Sequence, residues 1–481
     1  MPNRAGGRAR PVPFMRPPDE GAEIGSRRRS PEWLFAILAL VGGIVLTGLI
    51  PPVGGGNERY NFHRAASTAS AHLLVGPAPL PGGIAEFLEA SREKFREGRN
   101  PPYSYSRADF DRMASIPLRA DEPRVVRPNP IAVMHPISYL PQSAAIALGR
   151  LLGLSPLALF YSGRIAGLLA GIALTFLAIR TIPVHRHALA AVALLPPVLF
   201  TRSTLDADQF TVGLAFLFLA LVIREIAASG RIARRTLAVL AAAAFILAQC
   251  KSAYLLLPLL SLAIPASRFG SVRAKALACL LVCAPGIVAS AAWMIALKLS
   301  YFDNVAQYRT WSGIVRPGDQ LQFVISDPLA YLRIVLATVF ATPLVPKAIL
   351  EFFGVFGPPV TLPLPFYPVA GALLAGVTFS GRPIPAGPLS NWRTRTFALA
   401  LAAATILVIL ALLYLQWTRY RAPVIDGFQG RYLYPLIPLF LLSIPAAGRA
   451  FLRIPARHWL VALGLFSIAA TWWKTWETYL A

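Results

Sequence analysis

The sequence has few charged residues for its length. Charged side chains make up 14% of the 481 residues, whereas hydrophobic residues make up 56% and the mean hydropathy is +0.57. Soluble domains carry roughly a quarter charged residues, so this composition excludes an ordinary soluble enzyme. The 46 basic and 22 acidic residues leave a net charge of +24, which in a soluble protein would indicate a nucleic-acid partner. Long apolar runs indicate a lipid bilayer instead, and no nucleic acid is expected.

Cysteines and the motifs of common cofactor sites are also scarce. The three cysteines, Cys250, Cys279 and Cys283, lie in or beside apolar segments, so no disulfide framework is expected. The six histidines show no metal-ligand spacing. The sequence has no Walker motif and no GxGxxG pattern. No metal site is therefore predicted, although a divalent cation stays an alternative for one acidic pair described below.

The apolar runs predict an all-α polytopic membrane protein. Residues 1–32 have the composition of a disordered cytoplasmic tail. The basic triplet at 27–29 before the apolar run at 34–50 predicts an uncleaved signal anchor with a cytoplasmic N-terminus. Residues 33–475 are expected to form a single multi-spanning domain. Further spans are predicted at 156–180, 186–200, 209–225, 236–250, 252–267, 274–299, 364–381, 396–416, 432–448 and 457–475.

Two polar loops are expected on the outer face, at 54–136 and 300–327, because the shorter loops between spans are the basic ones. The segment 328–363 must leave and return on one side, either as two short crossings or as a re-entrant segment, which gives 11–13 spans. In the first loop, Ile84, Phe87, Leu88 and Phe95 follow a helical period between glycines, with charges on the other face. This pattern predicts an amphipathic helix on the membrane surface.

Ionisable side chains gather at the expected outer ends of seven segments. They are Glu58, Arg64, His135, Arg164, Asp206, Asp208, Lys251, Asp426 and Arg431, and the neutral Gln429 lies between the last two. Charges at membrane depth are energetically expensive and usually functional. Because they lie at one face rather than at the midplane, they favour an extracytoplasmic active site over a transport pathway.

The residues allow alternative roles. Glu58 follows a glycine-rich turn and is either a general base or a solvated carboxylate. Asp206 and Asp208 would bind a divalent cation or a sugar hydroxyl, or Asp208 would cap the next helix. Lys251 and Arg431 suit a phosphate, although Lys251 alternatively snorkels to the interface. Two further residues have structural alternatives, namely an ion pair for Arg164 and a turn role for His135.

Short motifs along the chain, in order, resemble the bacterial membrane-protein family catalogued as domain of unknown function 2142. The resemblance runs from about residue 33 to residue 475. It rests on Pro51-Pro52, Glu58, Phe62, Arg64, Pro136-Ile137-Ser138-Tyr139-Leu140-Pro141-Gln142, Gly163-Arg164, Ala207-Asp208, Lys251, Tyr254 and Gly427-Phe428-Gln429-Gly430-Arg431-Tyr432-Leu433-Tyr434-Pro435. The family is grouped with GT-C glycosyltransferases. The resemblance implies a GT-C-like fold, an outer-face site, a polyprenyl-phosphate sugar donor and an acidic residue in the first outer loop.

Two positions depart from the family pattern, since its Asp is Asn57 here and its His is Asn61. An amide cannot accept a proton at neutral pH, so the resemblance implies Glu58 as the base in this chain, with Asp208 to position the sugar or a metal. Contacts to the substrate or its lipid phosphate are expected from Arg64, His135, Tyr139, Arg164, Lys251, Gln429, Arg431 and Tyr432.

The expected function is a GT-C-like glycosyltransferase of the bacterial inner membrane. It would modify a cell-envelope glycan or lipid on the extracytoplasmic face, with inversion at the anomeric carbon. The alternative is a non-catalytic protein of the same descent that binds or translocates lipid-linked sugars. An ordinary transporter is disfavoured, because the sequence shows neither an inverted repeat nor a pair of broken helices.

Overall fold

The fold is almost entirely helical. The computed structural model describes residues 30–97, 106–128, 133–301, 307–310, 312–357, 360–381, 384, 387–444 and 454–480, so most of the predicted tail at 1–32 lies outside the described residues. The α-helices are α1 (Pro31–Leu49), α2 (Glu58–Ala69), α3 (Gly82–Glu97), α4 (Arg107–Ala114), α5 (Leu140–Leu151), α6 (Pro156–Thr181), α7 (Arg186–Val192), α8 (Pro196–Arg202), α9 (Asp208–Ala227), α10 (Arg234–Cys250), α11 (Val272–Ser300), α12 (Pro317–Ser326), α13 (Pro328–Phe340), α14 (Leu344–Gly354), α15 (Phe366–Phe379), α16 (Trp392–Gln416), α17 (Ile437–Ser443) and α18 (Ala456–Tyr479).

Short 3₁₀ helices and three small sheets complete the described elements. The 3₁₀ helices are Pro136–Tyr139, Ser252–Tyr254, Leu257–Ala263, Ala266–Arg268 and Gly430–Leu436. The antiparallel pairs are β1 (Ala78–Pro81) with β2 (Pro123–Val126), β3 (Tyr308–Thr310) with β4 (Gly313–Val315), and β5 (Val355–Gly357) with β6 (Val360–Thr361). In the first sheet, Ala78 lies opposite Val126 and Pro81 opposite Pro123. The prediction of an all-α membrane protein is confirmed.

Five helices in the described part are long and apolar enough to cross a membrane. They are α1, α6, α9, α11 and α16. Their bounds agree with the predicted spans to within a few residues, because each begins and ends where the apolar run does. Helix α6 shows how such a start is fixed: the Ser155 side chain accepts from the Ala158 amide, and Pro156 occupies the first turn. The predicted total of 11–13 also counts the shorter apolar segments.

Several of the other predicted segments are broken, while α10 and α15 are short but continuous. The segment predicted at 186–200 is divided into α7 and α8 by a break at 193–195, and the one predicted at 252–267 consists of 3₁₀ turns. Helices α12 and α13 meet at a bend of 107°. Helices α13 and α14 have 13 and 11 residues, less than the ~20 that a straight span needs. For 328–363, these lengths agree with both alternatives, two short crossings or a re-entrant segment.

The predicted amphipathic helix exists as α3, but its apolar face packs against the protein and not against a membrane. Ile84, Phe87 and Leu88 are buried in a second core, where the ring of Phe87 lies 5.5 Å from that of Phe62 and 5.6 Å from that of Phe160. The apolar face is therefore covered by the protein. The side chain of Phe95 lies outside the described ones.

The first residues of α6 extend beyond the end of α1, and they contribute Leu157, Leu159 and Phe160 to this core. The two helices are antiparallel neighbours, with the Trp33 and Phe176 rings 4.8 Å apart, and Arg164 reaches the last turn of α1. Eight residues of α6 precede Arg164, which is about 12 Å at 1.5 Å per residue. At this end of the bundle α1 ends, α9 begins and α10 ends. We call it the loop end.

Candidate functional site

The turn between α8 and α9 supplies the acidic residues at the loop end. Side-chain amides hold it: Gln209 Nε2 donates to the Arg202 carbonyl at 2.7 Å and also to the Thr204 carbonyl, and Gln142 Nε2 donates to the Asp206 carbonyl at 3.1 Å. Within the turn, the Asp208 amide donates to Asp206 Oδ1 at 2.9 Å. Asp206 and Asp208 are therefore fixed side by side, and both are buried.

Two cations from distant segments meet these two carboxylates. Lys251, which directly follows α10, places Nζ 2.9 Å from Asp208 Oδ1. Arg431, in the 3₁₀ helix Gly430–Leu436, places Nη1 3.4 Å from Asp206 Oδ2 and 3.7 Å from Asp208 Oδ2. We call these four residues the charged cluster. Two negative and two positive charges make it formally neutral.

Aromatic rings surround the lysine of the charged cluster. Lys251 Nζ lies 4.7 Å from the centre of the Tyr432 ring and 6.0 Å from that of Tyr254. The Tyr254 hydroxyl donates to the Tyr432 carbonyl at 3.3 Å, and the Arg431 guanidinium lies 5.8 Å from the Tyr432 ring. Such rings attract cations and fix their positions. Lys251 thus points into the protein, which argues against snorkelling.

Glu58 and Arg164 form a separate ion pair with no solvent exposure. Arg164 Nε and Nη2 donate to the two carboxylate oxygens at 2.8 and 2.7 Å. The amides of Gly55 and Leu205 donate to the same carboxylate at 2.8 and 2.6 Å. Four donors therefore surround Glu58, which is fully buried and not solvated. As placed here, Glu58 positions the 203–208 turn.

Arg164 also closes the end of α1. Its two terminal nitrogens donate to the carbonyls of Thr47, Ile50 and Pro51 at 2.7 to 3.0 Å. The last carbonyls of a helix lack intrahelical partners, and a guanidinium satisfies them while complementing the negative end of the helix. This arrangement agrees with the structural alternative for Arg164.

A third group holds the other residues expected at the site. Arg64 donates to the carbonyls of Met134, His72 and Leu73 at 3.1, 3.2 and 2.6 Å. The Tyr139 hydroxyl donates to Asn61 Oδ1 at 2.7 Å. These contacts join α2 to the chain segments around it. They occupy the guanidinium nitrogens of Arg64 and the hydroxyl of Tyr139, which were expected to contact a substrate.

His135 agrees with its turn alternative. Its Nδ1 accepts from the Ile137 amide at 3.2 Å, and its ring lies 4.6 Å from that of Trp293. Burial and the charge of Arg64 lower the pKa of His135 to about 4, so the ring is neutral at pH 7. A neutral imidazole supplies no charge for binding a phosphate.

Glu351, in α14, contacts the segment that carries Arg431, and it was not among the residues predicted from the sequence. Its Oε2 accepts from the Gly430 amide at 2.8 Å. A Cβ atom at Gly430 would come within 2.5 Å of the Ala348 carbonyl oxygen, so only glycine permits this close approach. Gln429, half-buried, precedes this contact. A carboxylate inside an apolar helix was the available signal, since such charges are rare without a function.

The acidic pair does not fit a divalent cation. No group of three or more His, Cys, Asp or Glu side chains suitable for a metal occurs in the described part of the chain. The oxygens of Asp206 and Asp208 face an ammonium and a guanidinium group, which would repel a second cation. We therefore assign no step to a metal.

Comparisons with known proteins give one match. The model of a family described as "Predicted membrane protein (DUF2142)" matches residues 38–440. This range contains every residue of the charged cluster and of the other two groups. No curated protein and no solved structure matches the chain.

Proposed function

The chain belongs to the DUF2142 family of predicted membrane proteins, and we propose that it is a membrane glycosyltransferase. In this proposal it transfers a sugar from a polyprenyl-phosphate donor to a cell-envelope glycan or lipid on the outer face of the bacterial inner membrane. The observation that carries the proposal is the charged cluster, in which Asp206, Asp208, Lys251 and Arg431 meet at the loop end of the bundle.

The position of the cluster supports a lipid-linked donor. Lys251 and Asp208 stand where α10 ends and α9 begins. If α9 and α10 cross the bilayer, a lipid phosphate would lie at the level of these helix ends. Arg431 offers a planar pair of donors and Lys251 a point charge, and both chemistries bind phosphate. The 3.4 and 3.7 Å contacts of Arg431 are longer than strong ion-pair bonds. A phosphate would compete for them.

Asp206 is the base in this proposal. Burial and the neighbouring charge of Asp208 raise its pKa, which increases its affinity for a proton. Asp206 takes the proton of the acceptor hydroxyl, whose oxygen bonds to the anomeric carbon as the bond from that carbon to the phosphate oxygen breaks. Lys251 and Arg431 stabilise the charge of the departing polyprenyl phosphate. Direct displacement inverts the anomeric carbon, while Glu58 acts as a positioning residue.

A second candidate function is non-catalytic binding or translocation of lipid-linked sugars. One observation favours it: both carboxylates of the charged cluster are engaged by cations, and Asn57 stands where the family pattern has an acid. A protein of this kind would bind the donor through Lys251 and Arg431 and would transfer nothing.

A vesicle assay separates the two functions. Purified protein in lipid vesicles is given radiolabelled polyprenyl-phosphate sugars and an envelope-lipid acceptor, and transferred label is counted. The enzyme proposal expects transfer by the wild type, its loss in Lys251→Met, and normal transfer by Lys298→Met, which removes an exposed lysine from α11. Saturable donor binding without transfer to any acceptor would support the non-catalytic function. Absence of both binding and transfer would reject both.

A further inference from the structure

A small cavity lies on the inner side of the charged cluster. It is bounded by α8, α9 and the 3₁₀ helix Gly430–Leu436, and its wall includes Arg202, Asp208 and Arg431. Its volume is about 20 Å³. A cavity needs roughly 10–15 Å³ to hold one water molecule, so this one has room for a species of that size.

Arg202 brings a charge to this cavity that no described carboxylate balances. The residue is 2% exposed. Its terminal nitrogens donate to the Ala193 carbonyl and to Thr175 Oγ1, each at 3.0 Å, and its guanidinium lies 5.2 Å from the ring of Phe35. All three partners are neutral. The charged cluster is already balanced within itself, so Arg202 adds one net positive charge to the buried group, and an unpaired buried charge is strongly unfavourable.

The same cavity has an unused hydrogen-bond donor in its wall. Arg431 Nε is buried and has no acceptor among the described residues. A buried N–H group without an acceptor is rare in folded proteins and usually marks a bound water or ion. Both arginines line the cavity, so one unused N–H group and one unbalanced charge belong to residues of its wall.

We propose that this cavity binds one small monovalent anion of the size of chloride. The anion accepts the Arg431 Nε–H bond and neutralises Arg202. A water molecule would satisfy the N–H group but would leave the charge of Arg202 unbalanced. The carboxylate of Asp208 in the same wall is held at 2.9 Å by Lys251, and the positive end of α9 begins there.

Such an anion would stabilise the substrate-free protein. It joins α8 and α9 to the segment that carries Arg431, and it binds only the folded state, so stability should rise with its concentration. The inference does not depend on the proposed glycosyl transfer, because it concerns a site beside the charged cluster and is measured without substrate.

The test is a halide titration of the purified protein in detergent. Melting temperature is measured while chloride or bromide replaces gluconate at constant ionic strength. We expect a saturable rise with both halides, and at least about a tenfold higher chloride midpoint in Arg202→Gln. Arg186→Gln is the matched control, because Arg186 pairs with Glu32 away from the cavity. It should keep the wild-type midpoint.

A second variant and a second measurement distinguish loss of the anion site from misfolding of Arg202→Gln. Val212→Leu adds a methylene group at the cavity wall and should remove the halide response without removing a charge. In a structure determined with bromide, anomalous signal should lie between Arg202 and Arg431. Equal effects of chloride, gluconate and sulfate, or an unchanged midpoint in both Arg202→Gln and Val212→Leu, would overturn the proposal.

Discussion

The Glu58–Arg164 pair and the charged cluster place similar groups in different surroundings. Glu58 and Arg164 are both fully buried, with contacts of 2.7 and 2.8 Å and two further backbone donors on the carboxylate. In the cluster, the side chains of Lys251 and Arg431 are 18% and 28% exposed, and Arg431 stands at 3.4 Å or more from its partners. An ion pair whose hydrogen-bonding atoms are all occupied stabilises the fold. A partly exposed pair with longer contacts can exchange its partners for a ligand.

The largest expected effect is on the Glu58–Arg164 pair. Glu58→Gln keeps the shape of the side chain but leaves Arg164 as an uncompensated buried charge, which costs about 3–5 kcal/mol. We expect a large fall in melting temperature, or loss of monodisperse protein, in detergent. The control is Glu86→Gln, because Glu86 pairs with Arg119 at a partly exposed site. A stable but inactive Glu58→Gln protein would instead identify Glu58 as the base.

The next effect concerns the base within the charged cluster. Asp206→Asn keeps a hydrogen-bond acceptor for the Asp208 amide and removes proton acceptance, so sugar transfer should fall by roughly 10²–10⁴-fold. Melting temperature should fall less than in Glu58→Gln, because Arg431 keeps Asp208 as a charged partner. Asp426→Asn, whose carboxylate bonds to Ser312 outside the cluster, should transfer normally. Wild-type transfer rates in Asp206→Asn would remove Asp206 from the mechanism.

A smaller effect is expected on donor affinity. Arg431→Lys retains the charge and loses the planar fork, so polyprenyl phosphate should bind about tenfold to a hundredfold more weakly, or about 1.5–3 kcal/mol. Equilibrium binding of the radiolabelled lipid to vesicles measures the change. The exposed Arg419, changed to lysine, serves as the comparison. Equal affinities for the two variants would show that the looser contacts do not exchange for phosphate.

The smallest effect is a shift along the pH axis. Asp206 accepts a proton only when it is ionised, so transfer should rise with pH through its pKa and then level off. The charge of Asp208 contributes to the raised pKa of Asp206, so the residual transfer of Asp208→Asn should reach its plateau at lower pH. The logarithm of kcat/KM against pH measures this. An unchanged rising limb would contradict the coupling.

Sequence patterns predicted the local parts of this molecule well. Helix α9 was expected at 209–225 and is Asp208–Ala227, because its bounds follow from an apolar run and the acidic turn before it. The meeting of Asp208, Lys251 and Arg431 was also expected, since each follows or precedes a span at the same end. The position of a charge at the end of a span can be read from the neighbouring sequence, so it predicts which charges lie at the same end of the bundle.

Contacts between residues far apart in the sequence could not be predicted from local patterns. Glu58 looked like a loop carboxylate because the sequence does not reveal that Arg164, 106 residues later, satisfies both of its oxygens. The sequence also does not show that Arg164, about 12 Å along α6 from its first residue, lies beside the last turn of α1. The face of α3 had the pattern of a membrane-surface helix because an apolar stripe does not specify what covers it.

The core beneath α3 has a mechanical consequence. Leu205 and Ala207, which flank Asp206, are fully buried in that core together with Phe62 and Phe160. A displacement of α3 would therefore be transmitted through this core to the backbone on both sides of Asp206. In the proposed enzyme, an antibody fragment bound to the exposed Glu89 and Arg92 of α3 should lower sugar transfer without contacting the charged cluster.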